Sequence, residues 1–268
     1  MTDHIILVSS NQDIASRNMA QHLIETYSFK ETNQRFEGTP IYKKDRISLI
    51  KTSKELLLLD EPSLDPVAYI FLSCHKSESG IPSLTAHFPG NFSKVASFGG
   101  VPTELAYTYP SIHREYLKQL KQLKNNVRRY SIVTEAMHHG PTSFSKPLLF
   151  VEIGSSEENW QDSAAIETVC EAIMNTVESE YSSDKIAIGL GGTHYSEKFT
   201  NLITESNYAL GAIMPKYALP NLDKFILNQM IIKSIEKVSY AILDWKGIKG
   251  RERVKSLVEE AGLEIIKF

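Results

Sequence analysis

The sequence predicts an α/β fold, with a mixed, mostly parallel sheet and helices on both faces. Three observations predict it. Apolar runs of strand length alternate with stretches of helical period. The run Val67-Ala68-Tyr69-Ile70-Phe71-Leu72-Ser73 is almost wholly apolar, as a strand buried on both faces is. Polar loops follow the predicted strands after Ser73, Thr134, Ile153 and Leu190, and ligands of open α/β sheets gather at the carboxyl ends of strands.

Residues 4–10 form the first strand, apolar and β-branched. Asn11 or Ser10 caps a helix that turns Met19 and Leu23 to the core. Residues 47–51 and 67–73 are strands. Residues 74–102 are rich in Ser, Gly and Pro and carry no periodicity, and a loop of that length marks function. Residues 103–129 turn helical, with Leu117, Leu120 and Val127 on one side and Arg114, Lys118, Lys121 and Arg128 on another. Residues 130–134 are a strand, 135–146 a second polar loop and 148–153 another strand. Ser155 and Glu158 form a capping box before a helix whose buried stripe is Ile166, Val169, Ile173 and Val177. Residues 185–190 form a strand running into Gly191-Gly192, where Thr193 to Ser196 open no clear helix. Residues 208–214 are a strand, 222–235 and 250–261 helices, and 263–267 a last strand. The chain reads as one catalytic unit over 1–268, with a small N-terminal subdomain over about 1–65 as the division the pattern leaves open.

Composition narrows the function classes. Of the 268 residues, 42% are hydrophobic and 23% charged, which excludes disorder over the whole chain. Two cysteines, Cys74 and Cys170, cannot build a disulfide framework. No apolar run approaches the roughly 20 residues that cross a bilayer. The start, Met1-Thr2-Asp3-His4, offers no basic leader. A cytoplasmic protein with no membrane partner is expected. The formal net charge of −3 excludes a basic protein that coats nucleic acid, so any RNA must meet a local patch.

The histidines are unevenly placed. His75, His87, His138, His139 and His194, five of the eight, lie just past predicted strand ends, with Glu135 and Glu152 in the same zone. Imidazole and carboxylate together suit Zn²⁺ with an open position, and a neighbouring Glu or His can then move protons. No HxxxH, HExxH or CxxC spacing is present. Cys74 beside His75 lacks a signal for a depressed pKa and reads as structural. Gly189-x-Gly191-Gly192 misses the dinucleotide spacing. Its glycines instead allow a sharp turn close to a ligand. The basic helix stripe is the candidate for phosphate contact, against the alternative of a solvated face. Lys246, Lys249, Arg251, Arg253 and Lys255 make a second cluster.

Five stretches taken in order carry a family resemblance. They are Leu84-Thr85-Ala86-His87-Phe88-Pro89-Gly90-Asn91 and Thr134-Glu135-Ala136-Met137-His138-His139-Gly140-Pro141-Thr142. Then come Phe150-Val151-Glu152-Ile153-Gly154-Ser155-Ser156-Glu157-Glu158-Asn159-Trp160, Gly191-Gly192-Thr193-His194-Tyr195 and Met214-Pro215-Lys216-Tyr217. Through them the chain resembles the archaeal and plant type of D-aminoacyl-tRNA deacylase. Thr193 stands where the family has a third glycine, and Gly211-Ala212-Ile213 where it has Gly-His-Ile.

The resemblance implies a phosphorylase/hydrolase-like fold, similar to that of peptidyl-tRNA hydrolase. It implies hydrolysis of the ester joining a D-amino acid to tRNA, with one or two Zn²⁺ per chain and aminoacylated tRNA as the partner of a monomer. The expected catalytic residues are His138, His139, Glu135 and His194. Candidate metal ligands are His87, His138, His139, Glu152 and His194, of which a subset is needed. His87, Thr142, Gly191, Gly192, Lys118 and Lys121 are the expected substrate contacts, with glycine N–H groups facing an oxyanion. Two alternatives use the same residues: a zinc peptidase or amidase acting on a small substrate, and a non-catalytic tRNA-binding protein.

Overall fold

The computed structural model describes residues 4–268. The start of the chain, read above as lacking a leader, lies largely outside them. Twelve strands and seven α-helices follow in chain order. They are β1 (Ile5–Ser10), α1 (Ile14–Thr26), β2 (Lys30–Phe36), β3 (Thr39–Lys44), β4 (Ile47–Thr52), β5 (Ala68–Lys76), β6 (Ser83–His87), α2 (Pro110–Gln122), β7 (Ser131–Thr134) and β8 (Leu148–Ser155). Then come α3 (Glu157–Trp160), α4 (Ser163–Glu178), β9 (Lys185–Leu190), α5 (Glu197–Glu205), β10 (Tyr208–Met214), α6 (Lys224–Ile232), β11 (Tyr240–Leu243), α7 (Arg251–Glu260) and β12 (Glu264–Lys267).

The strands make two sheets where the sequence predicted one. An eight-stranded mixed sheet has the order β2-β3-β4-β1-β5-β8-β6-β7, and a four-stranded sheet the order β10-β9-β11-β12. All pairs of the smaller sheet are parallel. In the larger one β6 runs antiparallel to β8 and parallel to β7, while β1, β4, β5 and β8 pair in parallel.

Residue alternation along β1 explains the layers, because successive side chains point to opposite faces. Ile5 and Leu7 join the main core with Met19 and Leu23 of α1, Leu117 of α2 and Val169 of α4. Ile6 and Val8 face the other way, onto Leu56, Leu59, Phe144 and Phe150. That second face is covered by the segment holding the 3-10 turn Leu56–Leu58 and by Phe144, not by an α-helix. The prediction of helices on both faces is corrected here. A short irregular segment seals the face because its leucines and phenylalanine fill it.

Helix α2 lies against both sheets, touching β6 and β7 of the larger and β9 and β10 of the smaller. His113 ties them together. Its Nδ1 lies 3.0 Å from the Leu210 carbonyl oxygen of β10, and its Nε2 lies 3.1 Å from Thr134 Oγ1 of β7.

Local signals account for where elements start. The cap of α1 is Asp13, whose carboxylate accepts from Ser16 N at 2.9 Å, rather than Ser10 or Asn11. The capping box falls one residue later than predicted, on Ser156 and Asn159. It opens only the four-residue α3, and Asp162 caps α4 separately. Asn159 supplies the amide oxygen that a Glu or Gln gives in the usual box. Ser196 caps α5, where no helix was predicted. Among the described residues no helix is long and apolar enough to cross a membrane.

Candidate active site

The site is built where the edge of the larger sheet meets the loops of the smaller. β5, β8 and β6 are neighbours, with Ser73 opposite Glu152 and Thr85 opposite Glu152. This register brings His75 at the end of β5, Glu152 on β8 and His87 at the end of β6 to one place. Past β7 the chain runs along the smaller sheet's loops. Ala136 N donates to the His194 carbonyl at 2.9 Å, Ser196 N to the Thr134 carbonyl at 3.2 Å, and Met137 N to the Ile213 carbonyl at 2.9 Å. Glu135 thereby faces His194, and His138 and His139 follow on the next turn.

Distances define one cluster. Glu135 Oε2 lies 3.1 Å from His194 Nε2 and 3.7 Å from His138 Nε2. Glu135 Oε1 lies 3.3 Å from His75 Nδ1. Glu152 Oε2 is 3.4 Å from that same nitrogen and accepts from Thr85 Oγ1 at 3.3 Å, while Glu152 Oε1 is 3.8 Å from His87 Nε2. The ring centroids of His87 and His138 are 4.2 Å apart, and those of His138 and His194 4.5 Å. Two tyrosines close the outer side. Tyr195 Oη lies 3.1 Å from His75 Nε2, and Tyr217 Oη 3.0 Å from His194 Nδ1.

Gly154 makes room for this arrangement. A Cβ there would fall 2.6 Å from the His75 ring. Glycine at this strand position leaves the space that the imidazole occupies.

The electrostatics follow from burial and from neighbours. Burial of Glu135 disfavours its charge, but the His194 hydrogen bond and the imidazoles around it outweigh burial and hold its carboxyl well below the usual range. Glu152 is lowered in the same way, with burial opposed by His75 and His87. Burial also opposes charge on His75 and His87, yet the carboxylates facing them raise both. For His138, which Glu135 faces at 3.7 Å, and for His139 the carboxylate does not outweigh burial. Burial and the neighbouring His87 push His138 well down and His139 down to about 3, so both are neutral at physiological pH.

The cluster fits a metal ion, and the fit rests on how the rings are held. Nδ1 of His87 lies 3.2 Å from the Phe88 carbonyl oxygen, that of His138 3.0 Å from Ala136 O, and that of His139 2.7 Å from Gly140 O. An Nδ1–H donated to a carbonyl fixes the tautomer and leaves Nε2 with its lone pair, as in metal-ligating histidines. His87 Nε2 is buried and has no hydrogen-bond partner among the described residues. Three groups bring their ligand atoms within 4.8 Å of one another: His87/His138/His139, Glu135/His138/His194 and His75/Glu135/Glu152. A cavity of about 500 Å³ opens beside them, lined by His138, His139, His194, Tyr217, Phe98 and Val95 among others.

Not every expected contact joins this centre. Thr142 spends its hydroxyl on the loop framework, donating to Glu104 Oε2 at 2.7 Å and accepting from Val101 N at 2.9 Å. Gly191 N donates to the Met214 carbonyl at 2.9 Å, so it offers nothing to an oxyanion. Gly192 and Thr193 line a second cavity, of about 460 Å³, which His75 and Tyr195 also line. Lys118 pairs with Glu115 at 3.5 Å, and Lys121 sits exposed in the last turn of α2. Neither makes a hydrogen bond or ion pair with the histidines among the described residues. Arg114 donates twice to the Ser206 carbonyl and Arg253 to those of Leu219 and Leu222, so much of the basic residue content serves the fold.

Other residues were missed or given no role. His75 was counted among the strand-end histidines but left without a part, although it bridges both glutamates. Thr85, Tyr195 and Tyr217 stood in the stretches that carry the resemblance but were given no function. Cys74 is half-buried and its thiol is pushed up by burial and by Asp13, which supports the structural reading. Ala212 is buried in β10, and the cluster is made without it.

Fold and site together define an α/β enzyme with a histidine–carboxylate centre of the kind hydrolases use. A family model described as D-aminoacyl-tRNA deacylase matches residues 63–266. Relatives bearing that name include one from Pyrococcus abyssi, 38% identical over 98% of this chain and 99% of its own length. Another, from Thermococcus kodakarensis, is 36% identical over 98% and 99%, and one from Methanocaldococcus jannaschii is 35% identical over 97% of each. The crystal structure of AF0625, a conserved protein of unknown function, superposes with a TM-score of 0.91 at 29% identity, covering 98% of this chain and 95% of that one. The chain belongs to the D-aminoacyl-tRNA deacylase family.

Proposed function

We propose that the chain hydrolyses the ester between a D-amino acid and the terminal adenosine of tRNA, with Zn²⁺ held by His87, His138 and His139. The observation that carries the metal assignment is the anchoring of all three Nδ1 atoms on backbone carbonyls. Three imidazoles with an open fourth position are a zinc donor set. His138 also belongs to the group with Glu135 and His194, so one ion at a time can use it. When bound, the ion supplies Lewis acidity toward the carbonyl and lowers the pKa of water.

The protein's own groups then have distinct tasks. Glu135 Oε1 is buried, makes no hydrogen bond and faces His75 Nδ1 at 3.3 Å, so it is the oxygen that can take a proton from the attacking water beside that ring. Glu135 Oε2 stays on His194 and orients its ring. Tyr217 fixes the other nitrogen of that ring. The proton then passes from Glu135 to the ribose oxygen as the ester bond breaks, beside the His194 ring in the cavity wall. Glu152 holds His75 and faces His87, and so keeps the inner wall of the site in place.

The test is hydrolysis of D-tyrosyl-tRNA beside L-tyrosyl-tRNA by the purified protein, with and without a chelator, and with metal content measured by mass spectrometry. Release of the D-amino acid alone, lost on chelation and restored by zinc, is the expected result. Failure to cleave either ester in zinc-replete buffer would overturn the deacylase reading. Undiminished turnover after complete metal removal would overturn the zinc assignment alone.

A further inference from the structure

The cavity beside the histidines has an apolar rim that the hydrolytic groups leave unused. Phe98 and Val95 line it and are 72% and 67% exposed. Their backbone is firmly held. The Phe98 carbonyl accepts from Gly140 N at 3.0 Å. Asn91 Nδ2 donates to the carbonyls of Gly99 at 3.0 Å and Val101 at 3.2 Å. A Cβ on Gly140 would lie 2.2 Å from Gly100 N, so the turn after His139 and the loop after Phe98 meet backbone to backbone. An aromatic ring held in water on a pinned loop, in the same cavity as the reacting groups, has the character of a ligand platform.

We propose that Phe98, with Val95 on the same loop, is the platform on which the adenine of the terminal adenosine stacks, an inference that rests on the deacylase reading above. A cavity of about 500 Å³ is of small-molecule size. It takes the end of a tRNA rather than its stem. The terminal nucleoside is the part every substrate shares, and stacking on an aromatic face suits it because the base offers a large π-surface. The ester sits one ribose away from that base, and the histidines stand in the cavity that Phe98 borders.

The test compares Phe98→Ala and Phe98→Trp with the natural protein on two substrates, a D-aminoacyl-adenosine and the methyl ester of the same D-amino acid. Because Phe98 is exposed, its truncation leaves the core untouched. With D-aminoacyl-adenosine, Phe98→Ala is expected to raise KM by about tenfold with kcat within about twofold, and Phe98→Trp to restore KM. With the methyl ester, where no base is present, the variants should match the natural protein. An independent readout uses a non-hydrolysable amide-linked aminoacyl nucleoside carrying 2-aminopurine. Its fluorescence should be quenched on binding to the natural protein and to Phe98→Trp, and not to Phe98→Ala. An unchanged KM for D-aminoacyl-adenosine, or an equal loss on both esters, overturns the platform while hydrolysis itself stands. Absence of hydrolysis by the natural protein removes the deacylase reading instead.

Discussion

Glu135 follows β7 of the larger sheet, His194 follows β9 of the smaller, and they meet at 3.1 Å, Oε2 to Nε2. The carboxylate is fully buried, and three further imidazoles stand around it. It is therefore the group on which both the proton path and the orientation of His194 depend.

Replacing it tests that position. Glu135→Gln keeps the shape and removes the charge. Loss of a positioned general base commonly lowers rates by about 10²- to 10⁴-fold, and single-turnover hydrolysis of D-tyrosyl-tRNA should fall in that range. Circular dichroism should show the fold retained.

Tyr217→Phe removes only the hydroxyl that holds His194 Nδ1. A net hydrogen bond is worth about 0.5–1.5 kcal/mol, so kcat should drop by roughly 3- to 10-fold. KM should hold, because the ring remains in the cavity wall. A change confined to KM would mean that Tyr217 contacts substrate rather than orienting His194.

Gly154→Ala places a methyl group against the His75 ring. Overpacking of this kind costs about 1–3 kcal/mol, which a denaturation midpoint would register. Activity should fall as well, because His75 bridges Glu135 and Glu152. An alanine variant of natural stability and full activity would show that the ring moves aside without consequence.

Acid stability should depend on His113. Burial lowers its pKa from 6.5 to about 4, so on acidification the unfolded chain takes up this proton first. The contribution is complete above pH 6.5 and is lost as pH falls through about 4, amounting to about 3 kcal/mol. Urea midpoints for the natural protein should decline over that window. His113→Gln is expected to be less stable at pH 7 and to show a shallower decline between pH 6.5 and 4.

Much of this arrangement is legible in the sequence. Strands β9 and β10 match their predicted bounds at 185–190 and 208–214, because apolar runs bounded by polar residues state them locally. The hairpin of β2 and β3 carried no such signal. Residues 30–36 of β2 are mostly exposed, so no apolar alternation marks them. Strand β6 hid in a segment rich in Ser, Gly and Pro, and its antiparallel place between β8 and β7 has no local signature. The histidines were legible as a set because they sit at strand ends. The link from Thr85 through Glu152 to His75 was not, since it exists only in the register of three strands. The basic stripe of α2 was read as a phosphate contact or a solvated face, and of its residues Arg114 and Lys118 have partners within the fold while Lys121 is exposed.

The division of the site between two sheets has a consequence for how the protein fails. Glu152, His75 and His87 stand on strands of the larger sheet, His194, Tyr195 and Tyr217 on loops of the smaller, and the segment from Glu135 to His139 is bonded to both. Neither half holds a complete proton relay. A slight parting at the seam bridged by α2 would break the backbone bonds that hold the Glu135 segment against His194 while each sheet kept its own ladder. Catalysis thus serves as a gauge of docking, and inactivation on warming should come before the loss of secondary structure.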